Sequence, residues 1–554
     1  MEMQVGKRDL FTVAVLCIVF LSIAMWNVGM TRVPLTTWQA TGDESFYIDL
    51  GRNASVETVY FLVKGGCGAV EVYTGSPEDW SDSGAIGLQG YYSWNNVSID
   101  RDTQYLRFDF QQASVEIVEI AVLGKGNHKL AISGITALGP ADQNLHRLID
   151  EQGLVEVPPT YASETYFDEI YYVSSAESYL KLQQPYEWTH PPLGKLVIAS
   201  GIELFGYNPF GWRIMGVLFA TLMIALIYLV GKELFGTWIG AFAPAFLLTF
   251  DFMHFTMGRI ATVDTFVVLF SLGSQLFFLI YIQDVRKNGW KVSTLPLLLA
   301  VFFFALSFST KWLALFGFAG QLAILLALRL KDAVKLNEGC LSIKVKGLYA
   351  RPFFLLALFL GLAIFVYFTT YIPDMLAGST LTDIFKLQEY MFTYHSELEA
   401  TQPFASPWWT WPLILKPVWL FTSYLPADLV STIVLIGNPA VWWVGFIFVI
   451  LAFGEAMEIR DFPCIYITVL FFVQWLPYVF ISRPTFLYHF YTNVPFLCLA
   501  VGYFLNRYWS KKWGKAAALA YFSVVVVLFL LFYPAISGMP TPVSRIASLR
   551  LLES

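Results

Sequence analysis

Hydrophobic and polar positions alternate along this chain in two distinct ways. The first thirty residues open "MEMQVGKRDLFTVAVLCIVF", a basic start followed by an apolar run too long for a secretory signal core. Further apolar runs lie near 208–231, 236–255, 262–283, 293–310, 312–330, 352–371, 440–456, 462–481, 487–506 and 515–534. Each approaches the roughly 20 residues a helix needs to cross a bilayer. With the first run they predict 11 membrane spans.

Between residue 31 and about 145 the pattern shortens. "ETVYFLVKGG", "AVEVYTG", "YYSWNNVSI", "QYLRFDF" and "ASVEIVEIAVLG" are brief apolar or alternating bursts separated by Gly, Asn, Asp and Ser. That is the pattern of a β-sandwich. The last of these strands resembles the closing strands of jelly-roll modules. The segment reads as an independently folding unit, joined to the helical region by "GLVEVPPTYASE" with Pro158 and Pro159 as a stiff linker. A carbohydrate- or acceptor-binding role and a ligand-free spacer are both open for it. In either case it supplies no catalytic group, and its excision is expected to spare transfer to a short peptide.

Loop charge orients the spans. "GKELFG", "DVRKNGWK", "RLKDAVKLNEGCLSIKVKGLYAR", "EIRD" and "NRYWSKKWGK" all fall on the side of the N-terminus, which the positive-inside rule makes cytoplasmic. The β-module, residues 146–207, the 372–439 loop and the tail at 535–554 then lie outside. The division is therefore a first helix at 1–30, the module at 31–145, a linker and outer catalytic loop at 146–207, helices 2–7 at 208–371, a Trp-rich outer loop at 372–439, helices 8–11 at 440–534, and the tail.

Composition narrows the function. Hydrophobic residues make up 56% and charged ones 14%, which excludes an ordinary soluble protein. A net charge of −6 offers no basic surface for nucleic acid. Residues 31–150 hold 15 acids against 8 bases, so the module is not expected to lie on an anionic membrane. Five unpaired cysteines give neither a disulfide framework nor a metal-ligand spacing, and no metal is expected. "NAS" at Asn53 and "NVS" at Asn96 are N-glycosylation sequons on the outer side.

Three cations break the inside rule. Arg259 in "MGRIATVDTF", Lys311 in "FSTKWLALF" and Arg483 in "ISRPTFLYHF" sit at outer ends of spans. Charges near hydrocarbon are costly, so their convergence points to an anionic ligand, with headgroup snorkelling the bland alternative for each. Adjacent Asp168 and Glu169 in "FDEIYY" precede an outer helix and diverge in direction, so one suits a general base while the other holds structure or substrate. "EWTHPPLGKL", residues 187–196, places His190, Pro191, Pro192 and Lys195 against the second apolar run. In "HSELEATQPFASPWWTWPLILKPVW", Trp408, Trp409 and Trp411 suit either an interface belt or a platform for sugar or peptide, and Trp419 suits the interface.

Taken in order, "FDEIYY", "THPPLGKL", "GRIATVD", "STKW", "ASPWWTWPLILKPVW" and "RPTFLYHFYTNVPF" resemble the protein O-mannosyltransferase family of GT-C glycosyltransferases over most of residues 160–510. The resemblance implies a polytopic α-helical GT-C fold. It implies inverting transfer of a sugar, mannose above all, from a dolichyl or polyprenyl monophosphate to Ser or Thr of a protein acceptor at the outer face. No separate cofactor is expected. It makes Asp168 the base, puts Arg259 and Lys311 at the donor phosphate, with Arg483, Tyr488 and His489 in the entrance motif, and marks Asp264 in the Arg-to-Asp segment. Glu169 and His190 are further catalytic candidates, Pro191, Pro192 and Lys195 shape the cleft, and His395 with the three tryptophans faces the acceptor. The 372–439 loop lacks room for the β-trefoil of eukaryotic members, so a prokaryotic plasma-membrane enzyme is inferred, and the β-module lies outside the usual plan. A GT-C enzyme acting on a lipid or surface glycan is the nearest rival. A polyprenyl-lipid transporter is the other, though it has no use for an outer carboxylate base.

Overall fold

The computed structural model describes residues 5–126, 128–139, 144–337, 340–343 and 351–552. The chain begins with helix α1 (Lys7–Met25) and enters a sheet of β1 (Trp38–Ala40), β2 (Ser45–Ser76), β3 (Asp79–Leu88), β4 (Ser93–Gly124), β5 (His128–Leu130) and β6 (Gly134–Ala137). The bursts seen in the sequence merge here into two 32-residue runs, β2 and β4. They bend and pair with each other twice. Residues 54–63 lie between 93–103 and 117–124, while 105–109 lie between 45–49 and 71–75. Bends fall where the backbone is left-handed, as at Gly51 and Gly66. Alternate side chains, among them Phe46, Ile48, Phe61, Val72, Phe108 and Ile120, enclose an apolar core separate from that of the helices.

The helical body comes next, with α2 (Glu169–Leu180), α3 (Leu193–Phe205), α4 (Pro209–Phe235), α5 (Trp238–Thr249), α6 (Phe252–Gly258), α7 (Asp264–Asn288), α8 (Leu295–Phe308) and α9 (Ala314–Ala333). A short pair, β7 (Val334–Asn337) and β8 (Cys340–Ile343), precedes α10 (Arg351–Thr369), α11 (Ile372–Leu376) and α12 (Leu381–Glu397). Then come a hairpin of β9 (Val418–Leu425) and β10 (Leu429–Leu435), and helices α13 (Pro439–Glu458), α14 (Phe462–Trp475), α15 (Val494–Tyr508) and α16 (Lys512–Ser537). Strand β11 (Thr541–Pro542) closes on β10.

Every apolar run read from the sequence falls on helix. Among the described residues seven helices are long and apolar enough to cross a membrane, or eight with α5 and α6 counted as one span bent by 62°. Their ends obey local chemistry. The Asn208 side chain accepts from Gly211 N (2.8 Å), Pro209 opens α4, and Gly236 ends it left-handed. At the α5–α6 bend Asp251 accepts from His254 N, Trp442 Nε1 and Asn438 N, so the break in the helical ladder leaves its carboxylate satisfied.

Helix α12 is amphipathic. Ile384 and Met391 are buried while Leu381, Phe385 and Phe392 are exposed. The hairpin β9–β10 stands where the sequence suggested loop alone. Its Phe421 packs on Tyr161 and Tyr166, just ahead of the Asp168 segment.

Candidate active site

Asp168 stands immediately before α2, and its side chain makes no capping bond to that helix. Its carboxylate has no hydrogen-bond partner among the described residues. Burial pushes its pKa up to about 7, the charges of Asp264 and Glu187 push the same way, and Lys311 opposes them. An unpaired carboxylate poised near neutrality is what proton removal from an alcohol requires.

Glu169 has the opposite surroundings. It is fully buried, and Arg213 on α4 grips it with Nε to Oε1 (2.8 Å) and Nη2 to Oε2 (2.7 Å). It also accepts from Ala261 N (2.9 Å) and Tyr166 N (3.2 Å). With its oxygens taken, Glu169 acts as a clamp, and of the two adjacent acids Asp168 alone is free to take a proton.

The proline motif is a second clamp. Lys195, 1% exposed, donates to Glu187 O (2.6 Å), Glu187 Oε2 (2.9 Å) and His190 O (2.8 Å). His190 Nδ1 meets Glu187 Oε1 at 3.0 Å. Burial alone would raise the Glu187 pKa, but Lys195 and His190 more than offset it and hold the carboxyl below its usual range. Burial lowers the His190 pKa, and Glu187 opposes that shift. Glu187 N donates to Ser175 Oγ on α2 (2.8 Å), and Leu193 N to Ser309 O (3.1 Å). Gly194 lets α3 approach the turns before Asp264 and Lys311, since a Cβ there would lie 2.5 Å from Val263 Cγ1 and 3.0 Å from Thr310 Cγ2. The buried prolines Pro191 and Pro192 open α3. His190 orders this loop and turns its ring toward the cleft.

That cleft, about 1250 Å³ of empty space counting its open mouth, is lined by Thr189, His190, Pro191, Lys311, His395, Arg483 and His489 on a polar side. Leu315, Phe316, Phe392, Phe480 and Ile481 form an apolar side. Lys311 Nζ pairs with Asp264 Oδ1 (2.9 Å) and lies over the Tyr488 ring. Tyr488 stacks on His489, whose Nδ1 sits 3.1 Å from Phe486 N. His395, expected on the acceptor side, belongs to this cleft. Its Nε2 donates to Thr189 O (2.7 Å), and its Nδ1 accepts from Arg483 Nη1 (2.6 Å). Burial, with the Arg483 charge added, lowers its pKa to about 3, so it stays neutral and ties the proline motif to the Arg483 loop.

Two expectations are corrected by the geometry. Arg259 does not line the cleft. It donates to Ala24 O (3.1 Å), Trp26 O (2.9 Å), Asn27 O (3.0 Å) and Ser537 O (3.0 Å), tying the C-terminal ends of α1 and α16 together. Exposed carbonyls at helix ends are strong acceptors, and they capture this cation before a ligand can. Trp411 likewise offers no platform. It is fully buried, its Nε1 bonded to Ser406 Oγ and its ring 4.8 Å from that of Tyr478. Trp408 packs on Trp475, and Trp409 is 54% exposed, leaving it as the one tryptophan of the three with a broad open face.

Sequence reasoning missed Arg213, hidden because "GWRIM" reads as a helix start, and Tyr91, Tyr92 and Trp94 in the β-module. The chain at Thr165 is bonded to the backbone of Tyr91 and Tyr92. The module therefore packs directly against the segment that leads into Asp168. Away from the cleft, Glu119, Asp150 and Glu151 bring carboxylate oxygens within 4.8 Å of one another. Glu151 already accepts from Leu35 N and Thr36 N, and Glu119 from Glu151 N and Gln152 Nε2, so the cluster ties the module to the linker.

A carboxylate without a hydrogen-bond partner and a cationic, half-apolar cleft thus sit in a polytopic helical body. The chain superposes on the S. cerevisiae protein O-mannosyltransferase Pmt1-Pmt2 complex bound to the sugar donor with a TM-score of 0.59, over 70% of this chain and 88% of that one, at 13% identity. Residues 189–346 match the family model for dolichyl-phosphate-mannose-protein mannosyltransferase, and residues 380–554 match the C-terminal four-transmembrane region of protein O-mannosyltransferase. The polyprenol-phosphate-mannose–protein mannosyltransferase of Mycobacterium tuberculosis is 25% identical over 418 residues, 63% of this chain and 78% of the relative. That of Mycolicibacterium smegmatis is 24% identical over 455 residues, 69% and 86%. The chain belongs to the protein O-mannosyltransferase family.

Proposed function

We propose that this protein is an inverting glycosyltransferase that moves mannose from a polyprenyl or dolichyl monophosphate to Ser or Thr hydroxyls of proteins. The observation that carries this reading is the Asp168 carboxylate, without a hydrogen-bond partner among the described residues and acted on by the charge of Lys311, which itself lines a cleft whose polar half suits a phosphate and whose apolar half suits an isoprenoid. Asp168 accepts the hydroxyl proton as the acceptor oxygen attacks the anomeric carbon from the face opposite the phosphate. The carbon–oxygen bond to phosphate breaks, and the lipid phosphate departs as an anion held by Lys311 and Arg483. The names borne by the relatives and the family models support the donor and the acceptor class.

Loop charge supports a cytoplasmic N-terminus and an outward site in a prokaryotic plasma membrane. The count of 11 spans holds if α5 with α6, α8, α10 and α15 also cross. We read the module as a β-sandwich on the outer side. The exposed faces of α12 and of Phe480 suit the membrane interface, where a lipid donor arrives laterally. Incubating the purified protein with labelled polyprenyl-phosphate mannose and a Ser/Thr-rich peptide tests the reading. Label on the peptide is expected, while label on lipid alone, or no transfer, sinks it.

A further inference from the structure

We infer that the β-module is a working part of the catalytic centre: its Tyr91–Trp94 turn fixes the position of Asp168 by holding Glu164 and Thr165. The inference rests on the reading of Asp168 as the base.

The bonds across this joint are short and specific. Thr165 N donates to Tyr92 O (2.9 Å), and Thr165 Oγ1 donates to Tyr91 O (2.5 Å). In return, Trp94 N donates to Glu164 Oε2 (2.8 Å). Tyr92 sits in the left-handed region at φ 48, which turns the chain so that two successive carbonyls serve one threonine. The turn itself is fixed. Tyr92 is fully buried, edge-on to the rings of Tyr207 and Trp212 at 5.7 and 5.6 Å, and its Oη donates to Pro34 O (2.6 Å). From the other side Arg213 donates to Glu164 O (2.6 Å) and to Tyr161 O (2.9 Å).

The segment that leads into Asp168 is therefore gripped between the module and α4. Farther along α2, Lys64 of the module pairs with Glu177 (2.9 Å), and Tyr91 Oη also donates to Glu177. Helix α2 is thus tethered to the module at its start and along its length. The Asp168 side chain has no hydrogen-bond partner among the described residues to orient it, so its aim is set by this backbone. A misplacement of about 1 Å in a reacting group can cost about a hundredfold in rate, so slack here reads out as lost turnover.

Thr165→Val removes one hydroxyl at constant shape, and Thr165→Ser keeps it. The expected result for Thr165→Val is a fall in kcat of about tenfold or more with the KM for polyprenyl-phosphate mannose unchanged, and recovery to within about twofold in Thr165→Ser. Asp168→Asn is measured alongside. If Asp168→Asn is inactive while Thr165→Val turns over within twofold of the parent, the positioning role is overturned and the proposed function stands. Full activity in Asp168→Asn overturns both. A loss in Thr165→Val that appears as raised donor KM, or that Thr165→Ser fails to recover, also overturns the positioning role. Should Thr165→Val fail to fold, Tyr92→Phe, which keeps the ring and loses the bond to Pro34 O, carries the same comparison: lowered kcat at constant donor KM supports the inference, and unchanged kcat overturns it.

Discussion

Replacing Arg213 with Met should destabilise the protein more than any single change on its surface. The guanidinium is fully buried and donates to both Glu169 oxygens and to the carbonyls of Val28, Tyr161 and Glu164. Methionine fills much of the volume and supplies none of these donors. Breaking a buried ion pair from one side costs about 3–5 kcal/mol, because the remaining charge is left uncompensated. The orphaned carbonyls add about 1 kcal/mol or more between them, since each buried acceptor left unmade carries a desolvation penalty. A loss of about 5 kcal/mol corresponds to more than about a thousandfold in the folded-to-unfolded ratio. In detergent it should appear as a fall in the melting midpoint on the order of 10 °C, tracked by tryptophan fluorescence. The double variant Glu169→Leu with Arg213→Met removes the stranded charge and should recover part of the loss, with the three carbonyls and the Ala261 and Tyr166 amides left without partners accounting for the remainder. A single variant that melts within about 2 °C of the parent would refute the description of Glu169 and Arg213 as a clamp, and would reopen a chemical role for Glu169.

The same geometry sets other outcomes. Arg259→Ala should lower the melting midpoint and leave donor affinity unchanged, because its partners are carbonyls of the α1 and α16 ends; weakened donor binding in well-folded protein would return Arg259 to the cleft. Arg483→Ala should weaken donor binding, measured by titration with polyprenyl-phosphate mannose, and an unchanged affinity would remove Arg483 from the phosphate site. Trp411→Ala should cost about 3–5 kcal/mol of stability, whereas Trp409→Ala should be nearly neutral in a melting experiment. Transfer rate should rise with pH through about 7 and then level off, since the base works only when ionised and burial raises the Asp168 pKa. A flat profile between pH 5 and 8 would contradict that assignment.

The helical body was legible because its apolar runs are long, and length is a signal that needs no partner. Loop charge and the spacing of the motifs were likewise written in the chain. What was not legible depends on who meets whom. Arg259 and Lys311 look alike in sequence, each a lone cation at the predicted outer end of a span. One is captured by helix-end carbonyls from residues more than 200 positions away, and the other is held by Asp264 at the cleft. Asp168 and Glu169 are neighbours of equal charge, and only Arg213, more than 40 residues on, tells them apart. The hairpin β9–β10 was hidden because "VWLFTSYL" lies in a tryptophan-rich stretch that reads as interface. On the module's side the grip on Thr165 runs through the backbone carbonyls of Tyr91 and Tyr92, which leave no trace in side-chain identity.

The central claim is that Asp168 takes the proton of the acceptor hydroxyl. Its most direct test is a single-turnover measurement of mannose transfer to a Ser/Thr peptide by Asp168→Asn, with donor binding measured on the same preparation. The predicted result is a loss of about a hundred- to ten-thousand-fold in the transfer step, with donor affinity nearly intact and a melting midpoint at pH 8 at or above that of the parent, since the buried carboxylate no longer has to ionise. Transfer within a few-fold of the parent would contradict it.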